Sequence, residues 1–346
     1  LLGPNTIGFA GFDNGAILSF ASVFSVYPPL DGPIAIISQS GGIGACAYAL
    51  LREAKWGVRC IAATGNEADL DTADFIDAFA QAQSIKVMLL YLEDVKDVGK
   101  MASALAAART KGIAIIALRS GRSDEGKRTA ALHTGSRGAV TPELDQIFAR
   151  HACRSVENIE QLVGGVPFYL GASFDARTTG RRPRIALISN SGAGCVLLAD
   201  QAELVGLELS ALSPDTIAEL DAILPDFSRN RNPVDLTAAL ISDSSMLGKA
   251  TQSILADPAV DGAALGLLAI AGSSYDTARF AVDAHAAAER MGKPLAVYSP
   301  HAHVRDVFAT SGHAVFRTEA EALEALTGFL DHRAAMHDTA QAAERS

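Results

Sequence analysis

The sequence has few cysteines, only Cys46, Cys60, Cys153 and Cys195, and no C-x-x-C pair among them. That spacing writes neither a disulfide scaffold nor a thiolate metal site, and a chain of 346 residues can build a core that needs no such staples. The four are expected to be reduced and buried. Long apolar runs are also lacking: stretches such as 263–271 are under half of the roughly 20 residues a membrane helix needs. No basic-then-apolar signal opens the chain, so a soluble, cytoplasmic protein is expected, with no membrane partner. Positive charge is scarce. Twenty-nine Lys and Arg against 39 Asp and Glu leave a formal charge of −10, which repels a phosphate backbone and argues against a general nucleic-acid binder. A Walker A loop, a complete G-x-G-x-x-G and any metal-ligand spacing are missing too, the last despite His285, His301, His303 and His313, so no metal site is predicted.

What is present is repetition. The run Gly32-Pro33-Ile34-Ala35-Ile36-Ile37-Ser38-Gln39-Ser40-Gly41 returns in register as Arg182-Pro183-Arg184-Ile185-Ala186-Leu187-Ile188-Ser189-Asn190-Ser191-Gly192. Each copy is followed by an Ala-rich helical segment closed by a glycine (45–57 and 196–206), then by a second apolar run (58–63 and 207–212). A third run (87–92 and 263–270) and a fourth (113–118 and 294–298) follow, and each half ends in a short run and an acidic helix. Continuous β-rich runs alternating with helical patterns of ten or more residues are what a parallel sheet covered on both faces produces. The fold class is therefore α/β, as two tandem flavodoxin-like domains. The expected layout is a lead-in at 1–30, a first domain at 31–171, a linker at 172–182, a second domain at 183–330 and a polar, linker-like tail at 331–346.

In an open α/β sheet ligands sit beyond the carboxyl ends of the strands, where a small-residue turn into a helix presents unpaired N–H groups. Ser38-Gln39-Ser40-Gly41-Gly42 and Ser189-Asn190-Ser191-Gly192-Ala193 are such turns. Each is either an anion site or simply a tight strand-to-helix turn. The segment 119–137 is locally basic in an acidic chain, which favours a phosphate-sized anion, and carries one histidine, His133, in Leu132-His133-Thr134-Gly135-Ser136. An imidazole there is either a structural loop histidine or a nucleophile at neutral pH. Glu93 ends the third run as either a solvated charge or an orienting partner for a histidine, and Gly65-Asn66-Glu67-Ala68-Asp69 reads first as a turn and helix cap.

Taken together, Gly3-Pro4-Asn5-Thr6-Ile7-Gly8, the two serine-glycine turns, Gly65-Asn66-Glu67-Ala68-Asp69, Ser120-Gly121-Arg122-Ser123, His133-Thr134-Gly135-Ser136 and Asn232-Pro233-Val234-Asp235-Leu236-Thr237 resemble the NDP-forming acyl-CoA synthetases, the superfamily of succinyl-CoA synthetase and ADP-forming acetyl-CoA synthetase. The matches are in order and span nearly the whole chain. The resemblance implies an acid–thiol ligase working through an acyl phosphate and a phosphohistidine. It puts the phosphorylated histidine at His133 and its orienting glutamate at Glu93. Phosphate would be held by two helix N-termini that begin at Ser40, Gly41 and Gly42 and at Ser191, Gly192 and Ala193, and Pro4 and Asn5 would lie near the acyl and CoA end. Coenzyme A and ATP or ADP with Mg are implied as substrates bound mainly elsewhere, with no tightly bound cofactor. A small carboxylic acid is the implied acyl donor. A CoA-binding Rossmann domain and an ATP-grasp domain, fused or as a subunit, are the implied partners, and without them this chain is not expected to complete a turnover. The second turn departs from the longer Gly-Gly-Pro-Gly run of many relatives. A non-catalytic CoA- or acyl-CoA-binding module that kept the fold is the alternative; a compact monomer and a domain-exchanged homo-oligomer are both compatible with the sequence.

Overall fold

A computed structural model of the chain describes residues 1–82, 84–134, 140–175, 181–268, 270 and 274–344, with 133, 134, 175 and 341–344 described by backbone alone. The chain divides into two compact units, 1–163 with 335–346, and 164–334.

The first unit opens with an antiparallel hairpin, β1 (Gly8–Gly11) and β2 (Ala16–Ser19), and a short α1 (Val23–Val26). Then come β3 (Ile34–Ser38), α2 (Gly41–Glu53), β4 (Cys60–Ala63), α3 (Thr72–Gln81), β5 (Val87–Leu92), α4 (Val98–Thr110), β6 (Ala114–Arg119), α5 (Asp124–Thr134), α6 (Pro142–Arg150), β7 (Arg154–Val156) and α7 (Ile159–Gly164). The sheet order is β2-β1-β4-β3-β5-β6-β7, parallel from β4 to β7. That parallel part is the flavodoxin-like order, with β3 and its turn at the point where the order reverses. Every residue of β3 is buried, as a strand covered on both faces requires. Ile76, Phe79, Leu105 and Phe148 from α3, α4 and α6 pack against one face. Helix starts are fixed locally: Asp71 and Asp74 make a reciprocal capping box on α3, and Thr141 caps α6 ahead of Pro142.

The lead-in does more than lead in. β1 pairs antiparallel with β4, so residues 8–19 extend the sheet by two strands through a turn that carries Asn14-Gly15, with Gly15 at φ +72°.

The second unit holds α8 (Ala172–Asp175), β8 (Arg184–Ser189), α9 (Gly192–Leu204), β9 (Glu208–Leu209), α10 (Pro214–Ile223), β10 (Val234–Asp235), α11 (Ser245–Ala256), β11 (Gly262–Gly266), α12 (Thr277–Met291), β12 (Leu295–Tyr298), α13 (Ala302–Thr310), β13 (Ala314–Phe316) and the start of α14 (Glu319–Glu344). Its strands are all parallel, in the order β10-β8-β11-β12-β13, with β9 also on β8. β11 takes one edge of β8, so β9 and β10 share the other, β9 at residues 184–185 and β10 at 188–189. The second apolar run expected at 207–212 is thus a two-residue strand, and the rest of its place is taken by Val234-Asp235. Asn232 bridges the interruption: its Oδ1 accepts from Leu187 N–H at 2.8 Å, and its Nδ2 donates to the Ile185 and Ser210 carbonyls at 2.9 and 3.0 Å. A side-chain amide does here what a peptide does elsewhere in the ladder. The core is built by Leu247, Ile254, Phe280 and Phe308.

The polar tail is helical to Glu344, as an Ala-rich segment favours, and Arg109 Nη1 donates to the Thr339 carbonyl at 3.3 Å within the first unit. Among the described residues no helix is long and apolar enough to cross a membrane.

Candidate functional site

In the first unit four loops meet at the carboxyl end of the sheet. Ser40 caps α2, its Oγ accepting from Ile43 N–H at 3.4 Å, and the N–H groups of Gly41 and Gly42 have no partner within the helix. The two glycines differ in cause. A Cβ on Gly41 would come within 2.6 Å of Ile7 Cγ2, so that glycine lets residues 3–7 pack on the turn; a Cβ on Gly42 would meet nothing nearer than 3.9 Å. Gly42 leaves open space where its own Cβ would stand.

Gln39, buried between the two serines, ties this turn to the end of β5. Its Nε2 donates to the Asp94 carbonyl at 2.8 Å, and its Oε1 accepts from the Asp94 N–H at 3.0 Å and from the Glu93 N–H. Glu93 is thereby held by its backbone, half-buried, at the strand end. Burial and then the nearby Glu93 carboxylate push the Tyr91 phenol up. The Pro4 and Asn5 loop joins from the other side: Asn66 N–H donates to the Pro4 carbonyl at 2.9 Å, Ala68 N–H to the Gly3 carbonyl at 2.9 Å, and Asn5 Nδ2 to Asn66 Oδ1 at 3.2 Å. Gly65, at φ +62°, must be glycine, because a Cβ there would sit 2.4 Å from the Pro4 carbonyl oxygen. Lys96 Nζ closes the ring by donating to the Asn66 and Glu67 carbonyls at 2.9 and 2.8 Å. The loop 65–69 is held as a turn, and its cap falls later than expected: Asp71 caps α3, while Glu67 Oε1 accepts from Thr72 N–H at 2.9 Å and Oγ1–H at 2.7 Å.

Pro4, Asn5, Ser40, Gly41, Gly42 and Glu93 therefore belong to one connected set of loops. His133 lies on α5 by its backbone; its side chain, and residues 135–139, fall outside the described residues. The basicity of the surrounding segment is largely neutralised locally: Arg119 pairs with Asp145 at 2.7 Å and lies over the Phe148 ring, Arg122 pairs with Glu157 at 2.5 Å, and Arg128 pairs with Glu125.

The second unit repeats the plan. Ser191 caps α9, its Oγ accepting from Gly194 N–H at 3.4 Å, and Gly192 and Ala193 are exposed. Asn190 takes the place of Gln39: its Oδ1 accepts from Leu268 N–H at 3.0 Å beyond β11, while its buried Nδ2 has no partner among the described residues. Gly194 makes room, since a Cβ would lie 2.5 Å from Ser189 Oγ. The Asp235 carboxylate flanks the turn, with Oδ1 accepting from Thr237 N–H at 2.9 Å and Oδ2 lying 3.1 Å from where a Gly192 Cβ would be. His301 Nε2–H donates to the Leu268 carbonyl at 2.9 Å, which ties the loop after β12 to the same place. Among the described residues no three His, Cys, Asp or Glu side chains gather as a metal would require.

Sequence reasoning missed the two amides. The signal was available, because Gln39 and Asn190 occupy the same position of the duplicated motif.

Residues 31–168 match the family described as succinyl-CoA ligase like flavodoxin domain. The chain is similar to the alpha subunit of an ADP-forming acetate–CoA ligase II of Pyrococcus furiosus, 31% identical over 262 residues, which covers 75% of this chain and 54% of that protein. It is similar to the alpha subunit of isoenzyme I of the same organism as well, 30% identical over 270 residues, 75% of this chain and 53% of that one. Among solved structures, the dinucleotide forming acetyl-coenzyme A synthetase 1 of Ca. Korarchaeum cryptofilum, in complex with phosphate and ADP, shares the fold with a TM-score of 0.83 at 22% identity, over 99% of this chain and 72% of that one. The chain spans about half the length of the curated relatives it matches.

Proposed function

This chain belongs to the NDP-forming acyl-CoA synthetase superfamily, and from that premise we propose that it carries the phosphoryl-transfer core of such an enzyme. In the proposed route acyl-CoA and phosphate give an acyl phosphate and CoA. A ring nitrogen of His133 attacks the phosphorus, the P–O bond to the acyl carboxylate breaks, and the phosphoryl group passes from the histidine to a nucleoside diphosphate. Glu93 accepts the other ring N–H and holds the tautomer whose free nitrogen attacks. Each serine-capped helix N-terminus offers free N–H groups and a positive dipole end to a phosphoryl group, and Pro4 and Asn5 stand at the acyl and CoA end. CoA and Mg-ATP or Mg-ADP are substrates here, bound mainly by CoA-binding and ATP-grasp domains, fused or supplied as a subunit. The two flavodoxin-like domains are proposed at 31–171 and 183–330.

The observation that carries this reading is the anchoring of Glu93. Gln39 fastens the backbone of Glu93 and Asp94 to the same turn that opens the α2 N-terminus, which supports a role for Glu93 beside that turn. The test is incubation of the chain with Mg²⁺ and acetyl or benzoyl phosphate, followed by peptide mapping. An acid-labile, base-stable phosphate on His133, absent in His133→Asn and slowed in Glu93→Gln, is expected. An unmodified His133 after all donors overturns the catalytic reading and leaves the non-catalytic binding module.

A further inference from the structure

We propose that Gln39 and Tyr91 are positioning residues for Glu93: Gln39 fixes the backbone from which the carboxylate is presented, and the Tyr91 hydroxyl fixes the carboxylate itself. The inference rests on the reading just given and adds two residues of the first unit to its chemistry.

A glutamate side chain turns about several bonds, so a carboxylate that must orient an imidazole has to be fixed at both ends. Gln39, 9% exposed, holds the near end. Its own N–H donates to the Tyr91 carbonyl at 3.1 Å, its Oε1 accepts from the Glu93 N–H and from the Asp94 N–H at 3.0 Å, and its Nε2 donates to the Asp94 carbonyl at 2.8 Å. One amide thus grips the N–H groups on both sides of the Glu93 Cα and the carbonyl beyond, which sets the direction in which that side chain leaves the strand.

Tyr91 holds the far end. Residues two apart in an extended chain point to one face, and Leu90 and Leu92 pack into the core with α3 and α4, so Tyr91 and Glu93 share the opposite face. Burial first, then the Glu93 carboxylate, push the phenol up, and the two groups share a hydrogen bond. A phenol kept protonated at neutral pH donates to the carboxylate.

The duplicated half serves as an internal comparison. Asn190 stands where Gln39 does, and its N–H donates to the Gly266 carbonyl, so Gly266 matches Tyr91 and Leu268 matches Glu93. Where the carboxylate is replaced by leucine the clamp is reduced. Among the described residues Asn190 Oδ1 accepts from the Leu268 N–H alone, at 3.0 Å, and a glycine replaces the tyrosine. A Cβ on Gly266 would lie 2.4 Å from Tyr298 Cε1, so the room a tyrosine would need is filled by a ring from the neighbouring strand. The bond to the residue after the strand is common to both halves and belongs to the fold; the remaining bonds of the amide and the phenol accompany the glutamate.

The experiment measures the rate of His133 phosphorylation of the 346-residue chain by acetyl phosphate and Mg²⁺, with intact mass as the readout. Gln39→Met, which keeps the length but cannot bond, and Tyr91→Phe, which removes only the hydroxyl, should each slow labelling about tenfold, the size of one oriented hydrogen bond. Gln39→Asn, able to keep the Glu93 N–H as Asn190 keeps that of Leu268, should fall between Gln39→Met and wild type. In Glu93→Ala chains the same changes should alter the residual rate by less than about twofold, because both act through the carboxylate. Should Glu93→Ala label too slowly to measure, a Glu93→Asp background reads the same coupling. Hydrogen exchange separates the two ends: the Glu93 and Asp94 N–H groups should exchange faster in Gln39→Met and as in wild type in Tyr91→Phe. A wild-type rate in either variant, equal slowing with and without Glu93, or unchanged exchange in Gln39→Met, in chains with wild-type circular dichroism, would overturn the proposal and leave the phosphohistidine reading standing. A wild-type chain that is never labelled overturns that reading, and this inference with it.

Discussion

Replacing Asn232 with alanine removes three hydrogen bonds at once and provides a quantitative test of the interrupted strand. Leu187 N–H and the Ile185 carbonyl belong to fully buried residues of β8, and the Ser210 carbonyl belongs to a residue 2% exposed. The Ile185 carbonyl keeps the Ser210 N–H at 2.9 Å, so two buried groups lose their partner. Each costs about 1–3 kcal/mol, and water entering the vacated, half-buried site recovers part of that, so the net loss is about 3 kcal/mol. For a domain of this size the loss corresponds to about 6–12 °C in Tm. Asn232→Asp should be no milder, because its carboxylate can accept from Leu187 but then faces two carbonyl oxygens. Urea unfolding followed by circular dichroism measures the loss, and Trp56, the single tryptophan, gives a fluorescence reference in the first unit. Hydrogen exchange at Leu187 gives the local reading. If the alanine variant stays within about 0.5 kcal/mol of wild type and Leu187 exchanges no faster, the side chain is not acting as part of the ladder, and the reasoning fails.

The two glycines of the first turn should separate. Gly41→Ala is expected to lose about 1–3 kcal/mol through its contact with Ile7, while Gly42→Ala should be neutral in urea yet slow His133 labelling by crowding the anion's approach. His313 is buried with its Nε2–H on the Ala281 carbonyl, and burial first of all lowers its pKa to about 4. The folded-state pKa lies below the ordinary 6.5, so the unfolded chain binds the extra proton first: this contribution, about 3 kcal/mol, is full above pH 6.5 and fades as pH falls toward 4. Stability measured at pH 7.5 and 5.0 should show about 2 kcal/mol of that loss in wild type, the rest following between pH 5 and 4, and a His313→Gln variant should flatten it. Among the cysteines, burial pushes Cys60, Cys153 and Cys195 up to about 12 while Cys46 is exposed, so a thiol reagent at pH 7.5 should label one site quickly, at Cys46. Fast labelling of a second native site would contradict the packing.

Legibility in the sequence followed physical cause. β5 falls on 87–92 as expected, because a six-residue apolar run between turn signals is strand length and too short for a typical helix. The hairpin at 8–19 went unread although Asn14-Gly15 announces it, since its strands are four residues each and the first has glycine at both ends. The second strand of the second sheet was illegible as one element: half of it lies beyond α10, behind an Asn-Pro pair that reads as a loop, and what joins the halves is a side chain. The serine-glycine turns were legible as strand-to-helix turns because serine caps and glycine opens a helix start, and Glu93 as the residue that follows β5. The reason Glu93 stays in place was not, since Gln39 lies 54 residues away along the chain.

The interrupted strand also has a meaning for how this sequence can change over time. Between Ser210 and Asn232 the chain leaves the sheet, builds α10 and returns, and both ends of the excursion are pinned by one amide. Registration of β10 on β8 therefore depends on where Asn232 docks and not on how many residues were travelled to reach it. Insertions and deletions in that excursion leave the alignment of the Asp235 turn with the Ser191 turn untouched, which makes it a length-tolerant cassette through which the surroundings of that turn can diversify while the strand ends stay in step.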